Sequence, residues 1–190
     1  YAYSGGLSNS ASCLAGVFDW NGGKNPNKLG KDVITMGVAS GLGSNCAFEL
    51  NGKCFTAPFA PTPLRKAECE ELKGELGIKE CDPDDEPDYW AGAVKQCGGV
   101  SKMPTAEDLG KLATELYGVQ VGAKQDKFYL TLDTSKASSM GFTASGFGVW
   151  SGEVYDGGTA YYRYFSPSYN TSWYGNTRSL SSIQAVCIAD

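Results

Sequence analysis

The stretch GFGVWSGEVYDGGTAYYRYFSPSYNTSWYGNTRSLSSIQAVCIAD, residues 146–190, decides how this chain is read. Short apolar pieces, GFGVW, TAYYRYF and SIQAVCIA, alternate with turn formers and read as strands. Between them lies a run of Tyr, Trp, Asn, Ser, Asp and Arg. Tyr and Trp supply large, stiff contact surfaces with polar tips, and Ser, Gly and Asn add adaptable hydrogen bonding, the chemistry of binding loops. Catalysis at neutral pH needs a titratable group poised there, and the sequence contains no His, the side chain that most often supplies one. In TAYYRYF, alternation places Tyr161, Arg163 and Phe165 on one face and Ala160, Tyr162 and Tyr164 on the other. One face packs and the other is available; the sequence leaves open which.

Upstream, KFYLTLD (residues 127–133) has the same strand character. Before it the pattern is helical. Thr105 is placed to cap a helix in which Glu107 and Asp108 suit the positive end of the dipole, and Leu109, Leu112, Ala113, Leu116 and Tyr117 form one apolar stripe ending before Gly118. Asp88 is placed to cap DYWAGAVKQC, where Trp90, Ala93, Val94 and Cys97 share a face, so Cys97 points inward. A bond from Cys97 to Cys187 would tie helix to sheet across about ninety residues, worth about 4 to 5 kcal/mol in the chain-entropy model. Thr62-Pro63 has the form of a helix start, with Gly77 as its stop. The acidic CDPDDEPD that follows has two prolines and no Gly, unlike a calcium loop, and reads as a solvated connector closed by a Cys69 to Cys81 bridge. In CAFELNGKCF, Asn51-Gly52 signals a hairpin. A two-residue turn sets Glu49 opposite Cys54, so either the loop is wider, allowing Cys46 to bond Cys54, or Cys46 bonds elsewhere; the wider loop is preferred. Residues 1–43 are rich in Gly, Asn and Ser, with apolar pieces at Leu14–Trp20 and Val33–Val38 that read as loops and edge strands.

Composition bounds the function. At 190 residues and 42% hydrophobic content the chain can bury a sizeable core. A net charge of -5 leaves no basic footprint for nucleic acid or anionic membrane. No apolar run is long enough to span a bilayer. The chain begins Tyr1-Ala2-Tyr3, so any targeting or anchoring segment is expected to lie outside it. Seven cysteines without His or a C-x-x-C pair indicate disulfides in an oxidising compartment rather than zinc. The number is odd, and Cys13 is the expected leftover thiol. No cofactor, metal or catalytic residue is expected; Glu153 and Asp156 as paired carboxylates of a hydrolase are a weak signal, since two acids three apart in a turn are commonplace.

The order of motifs, YWAGAVKQC, Gly-Gly, Met-Pro-Thr-Ala-Glu-Asp-Leu, Trp-Ser-Gly-Glu, an Ala-Tyr-Tyr strand ending in Phe and a final Ala-Val-Cys strand, resembles the C-type-lectin-like domains of bacterial surface proteins, in particular the C-terminal domain of collagen-like adhesins. The resemblance covers about Asp88 to Asp190. It implies an α+β fold of two helices packed on small twisted antiparallel sheets (86–190), preceded by a loop-rich, disulfide-bonded extension (1–85) with a hairpin and one helix. It also implies a binder of extracellular proteins or glycans at the cell surface. Trp150 to Arg178 is similar in composition to the segment varied in retroelement-diversified proteins of this fold, and the closing AVC resembles pilin-like surface proteins, which would make the chain a filament subunit. Calcium-dependent sugar binding is not implied: Glu86-Pro87-Asp88 stands ahead of the first helix, not in the long loop, and no Trp-Asn-Asp follows. The expected ligand face comprises Tyr155, Asp156, Tyr162, Arg163, Tyr164, Tyr169, Asn170, Trp173, Tyr174, Asn176 and Arg178, with Trp150 and Glu153 nearby in more structural roles.

Overall fold

The protein is α+β in its computed structural model, which describes residues 46–189; the readings of the first 45 residues, Cys13 among them, lie outside the described residues. Asn51 (φ 54°) and Gly52 (φ 82°) make a two-residue turn with both central residues left-handed. It joins β1 (Phe48–Leu50) to β2 (Lys53–Phe55). Glu49 faces Cys54, and the disulfide nevertheless joins Cys46 to Cys54 from just outside the strand. The wider loop is therefore corrected: the left-handed Asn-Gly pair closes the hairpin at its tightest, and the cysteines are bonded without being opposite.

Helix α1 spans Lys66–Leu76 and stops at Gly77 in the left-handed conformation. It starts later than Thr62-Pro63 predicts. Leu64 instead pairs with Asp88 through two backbone hydrogen bonds of 3.0 and 2.8 Å, and the chain at Thr62 lies so close to α2 that a Cβ on Gly92 would collide with the Thr62 carbonyl. Tertiary contact overrides the local cap signal. Helix α2 (Tyr89–Cys97) begins at Asp88, whose carboxylate accepts from the Ala91 N–H. Helix α3 (Ala106–Tyr117) has a full capping box, Thr105 with Asp108, and its whole predicted stripe is buried. Where a long strand was expected over 127–133, only β3 (Lys127–Phe128) forms, and Asp133 caps a fourth helix, α4 (Thr134–Met140).

Strands β4 (Phe147–Val154), β5 (Thr159–Phe165) and β6 (Asn170–Thr177) complete a four-stranded antiparallel sheet in the order β3-β6-β5-β4. The expected final strand shortens to β7 (Ile188–Ala189), which joins β1 and β2 in a second sheet. On its way it bridges β4 at Gln184 and Phe59 at Ala185, so the C-terminal segment touches both sheets. Disulfides join Cys69 to Cys81 and Cys97 to Cys187, with Cα separations of 5.9 and 5.2 Å.

Two cores flank the large sheet. Phe147, Val149 and Phe165 pack with Leu109, Leu112 and Leu116 of α3 and with Phe48 and Phe55 of the hairpin. On the opposite face Trp150 and Ala160 pack with Trp90, Ala93 and Val94 of α2, with Cys69 and Leu76 of α1, and with Ile183 and Ala185. Residues 46–85 thus contribute side chains to both cores. The second core reaches β4 and the start of β5; among the described residues neither core covers Tyr174 on the β6 side of that face, which is 44% exposed. No helix among the described residues is long and apolar enough to cross a membrane.

Candidate ligand-binding face

The makeup of that face follows from register. Tyr162 faces Tyr174, Tyr164 faces Ser172 and Ala160 faces Asn176 across β5 and β6. Opposed residues in an antiparallel ladder point to the same side. Tyr162, Tyr164, Ser172, Tyr174 and Asn176 therefore share one side of the sheet, on which Ser172 and Asn170 are buried and Asn170 is opposed to Phe128 across β6 and β3. The rings of β5 lean over β4, where the sequence has glycine. A Cβ on Gly148 would lie 2.9 Å from Tyr162 Cδ2, and one on Gly146 3.1 Å from the Tyr164 hydroxyl. Glycine at 148 lets the Tyr162 ring settle onto the strand, and at 146 it leaves room for the Tyr164 hydroxyl. Tyr162 is further held edge-on by Trp150 at 5.8 Å and meets the tilted Tyr174 ring at 5.9 Å. Burial raises its phenol above the usual tyrosine range, with a hydrogen bond from Asn176 pulling the other way.

At one end of this surface stands an aromatic knot. Phe128, Tyr129 and Tyr169 are 48%, 86% and 49% exposed, and the Tyr169 ring lies 5.8 Å from Phe128 and 5.6 Å from Tyr129. Tyr129 adopts φ 63°, a backbone region that costs a bulky residue of the order of 1–2 kcal/mol. The ladder is displaced there: Leu130, not Tyr129, donates to the Tyr169 carbonyl at 2.9 Å. The turn throws the Tyr129 ring into solvent and ends β3 after two residues.

The reverse face of the same strands carries a smaller aromatic ladder. Trp173 stacks on Tyr161 at 5.5 Å with 13° between planes, and Tyr155, 71% exposed, meets Tyr161 edge-on. Lys124 stands 6.0 Å over the Trp173 ring and forms an ion pair with Glu153 at 2.8 Å. That contact holds the Lys124 ammonium above its ordinary range. The Asp126 carboxylate accepts the Trp173 backbone N–H at 2.9 Å.

Three of the expected ligand contacts are interior. Arg163 is fully buried and donates to the carbonyls of Gly122, Ala123 and Gln125 and to the Thr171 hydroxyl. It anchors the 122–126 loop, and although burial lowers its guanidinium to about 10 it stays charged at neutral pH. Arg178 is equally buried. It pairs with Asp88 at 2.7 Å, donates to the carbonyls of Glu80 and Asp156, and lies over the Trp90 ring at 4.5 Å. Asn170 is buried and donates to Ser172 at 2.8 Å. Trp150 is wholly core. Asp156 is exposed, but one of its oxygens accepts the Gly158 N–H within its own turn.

The structure therefore brings together Tyr162, Tyr164, Tyr174 and Asn176, with Tyr169 at their end. It puts Trp173 and Tyr155 on the other side of the sheet and takes both arginines inside. Sequence reasoning missed Phe128, Tyr129 and Tyr161. For the first two, an aromatic pair beside Lys127 and Asp126 in a segment otherwise read as core strand is the signal that could have revealed them.

No family model, curated protein or solved structure matches this chain. The arrangement is then read from its own chemistry. Among the described residues no group of three or more Cys, Asp or Glu converges as metal ligands do. Open depressions of about 370, 310 and 260 Å³ lie around Ala137, Met103 and Lys111, away from the tyrosines.

Proposed function

We propose that the chain is an extracellular or cell-surface binding module of C-type-lectin-like fold, which grips a protein or glycan without calcium through the sheet face centred on Tyr162, Tyr164 and Tyr174. One observation carries this reading: glycines at 146 and 148 seat the Tyr164 and Tyr162 rings against β4, with Tyr162 packed on the second core and Tyr174 exposed beside it, so amphipathic rings are positioned in advance along this face. Rigid aromatic contacts of this kind lose little entropy on binding. The strained Tyr129 at the end of the face supports it, because its backbone strain holds a ring that is 86% exposed. Three disulfides suit an oxidising environment.

The test is to screen the oxidised protein against arrays of glycans and of extracellular proteins, then titrate the hit against a Tyr162→Ala/Tyr174→Ala variant. The expected result is a loss of affinity of at least a hundredfold in a variant that still unfolds cooperatively, the half-buried Tyr162 ring costing some stability. Undiminished binding by the folded variant would overturn the assignment. Concentration-dependent polymers that the same variant abolishes would favour a filament subunit.

A further inference from the structure

Strand β6 has β5 along one edge, while the other is only partly covered. β3 pairs with Asn170 and Thr171 alone. Past that point the Trp173 N–H, directed away from β5, is taken by Asp126. The Thr177 N–H, directed the same way by the alternation of the ladder, is taken by the Asn176 side-chain oxygen at 2.7 Å. Between them lies Gly175, opposite Tyr161 and exposed. Alternation turns both its N–H and its C=O outward, and among the described residues neither has a partner.

Sheet edges are normally blunted because they template further pairing. This edge is blunted on both sides of Gly175 and open at it. Glycine in a strand often marks the close approach of another backbone. Aromatic walls stand on both faces of the same strand, Trp173 on Tyr161 and Tyr174 on Tyr162. An open donor and acceptor on one residue, flanked by aromatic surfaces above and below, matches an extended polypeptide. Such a segment exchanges its own N–H and C=O with Gly175 while successive side chains fall on alternate faces.

We propose that the ligand is a polypeptide in extended conformation that adds to the β6 edge at Gly175. This rests on the tyrosine face being the ligand-binding surface, and narrows its partner.

The probe is a random peptide library displayed on phage, panned on the full oxidised chain, with the enriched peptide titrated against Gly175→Ala and Gly175→Pro. Alanine adds a Cβ that would lie 3.3 Å from Thr159 Cγ2 and from the Tyr161 ring but keeps the N–H; proline adds comparable crowding and removes it. The expected result is binding to the proline variant at least tenfold weaker than to the alanine variant. Should the proline variant not fold, N-methylation of the peptide backbone, scanned along its length, gives the same readout: methylation at the residue facing Gly175 weakens binding tenfold and at its neighbours does not. Equal binding by both variants with an N-methyl scan without effect overturns the proposal, as does a library that yields no peptide. If those results hold while Tyr162→Ala/Tyr174→Ala still abolishes binding to an array hit, the edge assignment fails and the face assignment stands. A dimer that Gly175→Pro dissolves in sedimentation makes a second copy the occupant and also overturns it.

Discussion

Arg178, just beyond β6, and Asp88, the N-cap of α2, meet inside the protein at 2.7 Å across ninety residues of chain, with side-chain exposures of 0% and 3%. Asp88 serves two partners, because the same carboxylate caps α2 at the Ala91 N–H. Burial lifts its carboxyl above the usual aspartate range, with the Arg178 charge opposing. Removing either member strands a buried charge, so Arg178→Met and Asp88→Asn each cost about 3–5 kcal/mol. The double variant is expected to lose less than the sum of the two. Urea denaturation of the four proteins measures the coupling.

Tyr117 gives the protein an alkaline limit. Burial pushes its phenol well above the usual value, and its hydroxyl donates to the Ser166 carbonyl at 2.7 Å. The folded state therefore holds this proton more tightly than the unfolded one. Its contribution is complete below about pH 10, where a free tyrosine titrates, and is lost as pH rises beyond that. Tyr117→Phe is expected to cost about 1 kcal/mol at pH 7 and to flatten the decline in urea midpoint between pH 9 and pH 11. An unchanged slope would remove Tyr117 as its cause.

Gly148→Ala tests the seat of the central ring. The added Cβ meets two Tyr162 ring carbons at 2.9 and 3.0 Å, so the ring must lift. Overpacking of this size costs about 1–3 kcal/mol. The near-ultraviolet circular dichroism of the tyrosines should change while the far-ultraviolet signal stays, and ligand affinity should fall with it.

Tyr129→Gly is expected to stabilise the protein by about 1 kcal/mol, since glycine accepts φ 63° without steric cost and the replaced ring is largely in solvent. Binding should weaken at the same time. A variant that is more stable and binds equally well would show that the strain serves no ligand.

The helical half of this fold was legible because its signals are local and agree: Asp88 and Thr105 cap where they should, and every residue of the stripe from Leu109 to Tyr117 is buried. Strand β5 was also legible from its alternation, and the first half of β4 from the apolar GFGVW between turn formers. What escaped depended on distant partners. NTSWYGNT is a strand because seven of its positions pair with β5, while its Asn and Gly content reads as loop. Leu64 is drawn out of a helix by Asp88. The two arginines escaped for another reason. In sequence they look like exposed recognition residues, and only the carbonyls of the 122–126 loop and the Asp88 carboxylate, all remote along the chain, explain their burial.

The bond between Cys97 and Cys187 encloses β3 to β6 in a single covalent ring of chain, while the residues that lock those strands together, Trp150, Phe165 and Arg163, face inward. Exchanges at the outward positions 155, 169 and 174 meet little of that packing, and substitutions of this kind shift stability by roughly half a kcal/mol or less. If the tyrosine face binds as proposed, its specificity is open to rewriting one outward ring at a time, with folding indifferent to the edit.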